Sequence, residues 1–143
     1  MSVREQQEKL VVCMKKWQKL EDAAVAQTAR IMEEIDHPLI RLVAEIIQRD
    51  SNMHHRIQQM VVDTLTHETV TMSFDDMKDA WQAIEKHIEL EKMTIDMAKT
   101  ALELVPEKTN QIQRYLLSYL AADEAKHDKM LADLELLKKG VYS

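Results

Sequence analysis

Three observations predict an all-α protein built as an antiparallel four-helix bundle. The 143 residues include one Gly and two Pro, too few turn formers for the many connections of a β-fold. Leu, Ala, Glu and Lys each outnumber Val, and Met is as frequent as Val, a composition that favours helix. Apolar residues recur at alternating steps of three and four, the period of a helix stripe. Three breaks leave four pieces of roughly 25 to 35 residues, within one domain spanning 1–143.

The first helix is expected over about residues 3–35, with a stripe through Leu10, Met14, Trp17, Glu21, Ala24, Thr28, Ile31 and Ile35. Asp36-His37-Pro38 ends it, because Pro38 suits the first turn of a new helix and His37 suits the turn. The second helix, 38–66, carries Ile40, Val43, Ile47, Asp50, His54, Ile57 and Val61. A break over 66–74 follows, and Ser73 with Asp76 fits a capping box for the third helix, 74–104. That helix runs through Met77, Trp81, Ile84, Ile88, Glu91, Ile95, Ala98, Leu102 and Val105. Pro106 opens the last break, and the fourth helix, 107–139, carries Leu117, Leu120, Glu124, His127, Leu131 and Leu134. Gly140 behind Lys138 and Lys139 reads as its stop. No tandem repeat or low-complexity run stands out.

Each stripe is interrupted once by ionisable groups. A rise of ~1.5 Å per residue puts Glu21 ~23 Å, Asp50 ~20 Å and His54 ~26 Å from the first turn. The same rise puts Glu124 ~27 Å from Pro106, and Glu91 lies mid-helix, so the breaks share a slab of roughly 10 Å. Buried carboxylates and imidazoles cost several kcal/mol unless paired or bound to a cation. Four carboxylates and two imidazoles without sulfur suit iron or manganese, with zinc a poorer match, and six ligands suit two metal ions. His87, four residues before Glu91, is either an additional ligand, a partner behind the ligands, or a polar edge of the core.

The stretch YLAADEAKHDKML resembles the fourth-helix Glu-x-x-His motif of the ferritin-like superfamily, rubrerythrin-type in particular. The resemblance implies Glu124 and His127 as ligands and Asp123 as the acid that orients an imidazole. It matches Glu21 and Glu91 to the family's first-helix and third-helix glutamates. It implies a di-iron or iron/manganese protein, a possible oxidoreductase of ferroxidase, peroxidase or oxidase type, with oxygen or peroxide as partner. The four-cysteine iron centre of full rubrerythrins needs more than the lone Cys13, so the electron donor would be external. Two departures stand out. Ser51 occupies the place where the family has Glu three residues before His54, leaving Asp50 as the nearest acid. The break between helices two and three spans only ~30 Å extended, short for the family's long crossover and suited to an up-down-up-down chain.

Other classes are narrowed by composition. A net charge of −6 with no basic cluster argues against nucleic acid. No stretch reaches the ~18 apolar residues of a membrane span, and the polar first ten residues lack a signal-peptide core. A cytoplasmic homo-oligomer is the expectation. A metal-free bundle serving as scaffold or partner-binding module is the alternative, in which core acids pair with imidazoles. A hemerythrin-like oxygen binder is a further one, suggested by His87-x-x-x-Glu91 but short of His. His55 and His67 lie off the stripes and read as surface residues.

Overall fold

The computed structural model describes residues 1–66, 73–106 and 111–142, apart from the side chains of Phe74, Val141 and Tyr142. Among the described residues the fold is all-α, with four helices: α1 (Val3–Glu34), α2 (Pro38–Thr66), α3 (Phe74–Leu104) and α4 (Gln111–Tyr142). The expected bounds of the first three hold to within a residue. The expected start of the fourth, at 107, lies outside the described residues, as does His67. The chain forms two compact units, Met1–Thr71 and Met72–Ser143, each holding one pair of helices. Among the described residues no helix is long and apolar enough to cross a membrane.

The helix starts follow from local chemistry. Ser2 caps α1: its hydroxyl accepts from the Glu5 N–H at 3.2 Å, and the Glu5 carboxylate accepts from the Ser2 N–H at 3.1 Å. Ser73 and Asp76 repeat the arrangement at α3, at 3.1 and 3.3 Å. These reciprocal bonds satisfy donors that a helix start otherwise leaves open. At the α1–α2 link, His37 Nδ1 accepts from the Leu39 N–H at 3.2 Å, the turn role its place beside Pro38 suggests.

Both helix pairs are antiparallel. Gln18 Nε2 donates to the His55 carbonyl at 3.2 Å, and Gln48 Nε2 donates to the Val25 carbonyl at 3.3 Å. The partner's number falls as the α1 number rises, as in a hairpin. In the second unit, Arg114 Nη2 donates to the Val105 carbonyl at 3.0 Å near the link. At the other end the Lys138 ammonium sits 4.2 Å from the Trp81 ring centroid, a cation–π contact between α3 and α4.

The contact line of α2 differs from its apolar stripe. Ala44, Ser51, Gln58 and Val62 are buried, while Ile47, Asp50 and Ile57 are exposed. The line is turned one residue, about 100°, from the one expected. Small and flexible side chains let α1 approach along one edge of a stripe that is wider than the contact. On α1 the expected positions Met14, Glu21 and Thr28 are buried, seven residues apart. Gly140 also departs from expectation: α4 continues through it to Tyr142, and a Cβ there would meet nothing within 4 Å. A lone helical Gly costs only about 1 kcal/mol and does not force a stop.

Two outcomes follow. Gly140→Ala should stabilise the chain by up to about 1 kcal/mol in urea unfolding, since the methyl meets open space and Ala is the better helix former. Hydrogen bonds from the Ser73 hydroxyl and backbone N–H hold the Asp76 carboxyl below its ordinary 3.8, against burial, which acts the other way. A carboxyl with a lowered folded pKa contributes stability that is complete above 3.8 and is lost as the pH falls through the lowered value. Asp76→Asn should therefore melt below the native chain at neutral pH, and the gap should close on acidification, as read by circular dichroism.

Candidate metal centre

Glu91 lies mid-way along α3 and is 7% exposed. On the facing helix, Glu124 and His127 are three residues apart and so share one side of α4. His127 Nδ1 lies 3.5 Å from Glu91 Oε1 and 3.8 Å from Glu124 Oε2. One ligand atom from each of the three residues falls within 4.8 Å of the others. The hairpin thus brings together three of the six ligands expected from sequence.

The surrounding groups steer this trio. Thr94 Oγ1 lies 2.8 Å from both Glu124 Oε2 and the Glu91 carbonyl, so its single proton is divided between them. His87 Nε2 lies 2.9 Å from Glu91 Oε1. Asp123 Oδ2 lies 3.5 Å from His127 Nε2, on the far side of the ring from the two glutamates, and its other oxygen pairs with Lys126 Nζ at 2.8 Å. At that distance the carboxylate makes an electrostatic contact with the back of the ring. A groove of about 390 Å³ opens beside the group, lined by His87, Glu91, His127, Met130 and Leu131.

Electrostatics favour cation binding here. The Glu91 carboxyl is held below its usual range, first by a hydrogen bond with the Glu124 carboxyl, then by His87 and His127, with burial opposing. A cation beside these oxygens would be met by both carboxylates at once.

In the first unit, Glu21 is 8% exposed and its Oε1 lies 3.3 Å from His54 Nδ1. Gln58 Nε2 donates to the same oxygen at 3.4 Å. Asp50 does not join them: it is exposed, and the buried neighbour is Ser51. The expected Asp50 ligand is thereby corrected, because the turned contact line of α2 carries residue 51 inward and residue 50 outward. His55, expected at the surface, is half-buried, with Nδ1 2.8 Å from Asp22 Oδ1 but out of line for a hydrogen bond. Sequence reasoning missed Thr94 and Gln58. Their signal was positional, since Thr94 follows Glu91 by three residues and Gln58 follows His54 by four.

No protein-family profile, curated protein or solved structure matches the chain.

Thr94→Val keeps the shape of the side chain and removes the donor to Glu124. Unfolding in urea should show a loss of about 1 kcal/mol, the usual worth of such a bond.

Proposed function

We propose that the chain is a metal-binding protein of the ferritin-like, rubrerythrin-type kind, holding a divalent transition-metal ion through Glu91, Glu124 and His127. One observation carries the reading: their ligand atoms lie within 4.8 Å of one another at the interface of α3 and α4. Two carboxylates and one imidazole, with no sulfur, suit Fe(II), Mn(II) or Zn(II). The two neighbouring carboxylates support this fit, because negative groups this close together favour a bound cation.

In this reading Glu91 and Glu124 offset the ion's charge, and His127 is aimed by Asp123. Thr94 holds Glu124 in place. His87 and Met130, on the wall of the groove, control what approaches. Bound iron would supply electrons for reducing oxygen or peroxide, drawn from an external donor. Glu21 and His54 give the first unit a carboxylate beside an imidazole.

The metal-free scaffold is the second reading. It is favoured by the Glu21–His54–Gln58 set, whose carboxylate already has an imidazole and an amide beside it.

Metal analysis of the protein loaded with Fe(II) and desalted separates the two. The metal reading expects retained ion, an affinity at least tenfold weaker in Glu124→Ala, and a melting temperature that falls on chelation, since a ligand specific to the folded state stabilises it. A native chain that retains no metal, with a melt indifferent to chelator, leaves the scaffold.

A further inference from the structure

The two hairpins share one internal frame. Three residues link α1 to α2, and six link α3 to α4. Glu21 and Glu91 each lie thirteen residues before the end of their helix, and His54 and His127 each lie sixteen after the start of theirs. The contacts agree: His54 Nδ1 is 3.3 Å from Glu21 Oε1, and His127 Nδ1 is 3.5 Å from Glu91 Oε1. Asp50-x-x-x-His54 thus repeats Asp123-x-x-x-His127. The repeat is hidden in the sequence because the links differ by three residues.

In this common frame the remaining site residues diverge together. Ser51 takes the place of Glu124, Ala24 that of Thr94, and Trp17 that of His87. The second carboxylate, the hydroxyl that holds it, and the flanking imidazole are all missing from the first hairpin. Gln58, in the place of Leu131, donates instead to Glu21 at 3.4 Å. Each hairpin has a groove at this point, about 380 Å³ in the first and 390 Å³ in the second. The first is walled by Trp17 and Ile57 where the second has His87 and Met130.

We infer that each chain binds one divalent ion tightly, in the α3–α4 hairpin, and that Ser51 is the substitution that leaves the α1–α2 hairpin without a metal site. This rests on the metal reading above and replaces the two ions expected from sequence. Glu21 and His54 alone supply two ligands, and the amide of Gln58 already satisfies part of the carboxylate. Ser51 stands at the position that Glu124 holds in this frame, buried where Glu124 is only partly so.

The test is titration of chelator-stripped protein with Co(II) alone, followed by visible absorption and by the mass of the intact complex. The native chain should take up one equivalent tightly. Ser51→Glu, or Ser51→Glu combined with Ala24→Thr to restore the supporting hydroxyl, should take up two. Two native equivalents of comparable affinity overturn the inference, as does a folded Ser51→Glu chain that binds only one. If neither variant folds, Glu21→Gln decides: an unchanged Kd for the native equivalent supports the inference, and a tenfold weakening overturns it. A native chain that takes up no Co(II) removes the metal reading itself, a result distinct from two equivalents.

Discussion

A carboxylate held between two packed helices needs a donor, a proton or a cation on each of its oxygens. Glu91 and Glu21 stand under this constraint at the same place in their hairpins, and much of the surrounding sequence follows from how each meets it. Around Glu91 the answer is ionic: a second carboxyl, two imidazoles and a threonine hydroxyl converge. Around Glu21 it is largely neutral, through the Gln58 amide with one imidazole. The first arrangement leaves charge to be balanced from outside. The second is nearly self-sufficient.

Polar groups also shape the packing. Gln18, Thr28, Ser51 and Gln58 are buried in the first hairpin beside Met14, Ala44 and Val62. Gln18 bridges to the α2 backbone and to Gln59, fixing register in a way that a uniformly apolar seam would not. The cost appears at the Gln58 carbonyl oxygen, which is buried with no partner. Larger apolar residues, Trp17 and Ile57 among them, stay about half exposed, at 48% and 53%.

Helix bounds and caps were legible in the sequence because they depend on neighbours a few residues away. Ser73 and Asp76, or His37 before Pro38, act within one turn. The Glu91, Glu124 and His127 positions were legible for a related reason: each breaks a stripe on the side that faces the partner helix. Asp50 was misread because hydrophobicity defines a broad face, whereas contact uses one edge of it, here the edge with Ser51. Gly140 was misread because one residue's propensity is outweighed by the helix on either side. Thr94 and Gln58 were invisible because a hydroxyl or amide gains meaning only from what lies across the interface.

The equal spans on either side of the two links have a consequence for how such a chain can change. The helical backbone supplies addresses, and the chemistry is written at them by single side chains. A link can grow or shrink by three residues while the addresses stay aligned, because it is added outside the paired region. Side chains at these positions can thus be exchanged in one half by point substitution while the helices of the other half stay as they are. Any redesign of the chain can be planned address by address.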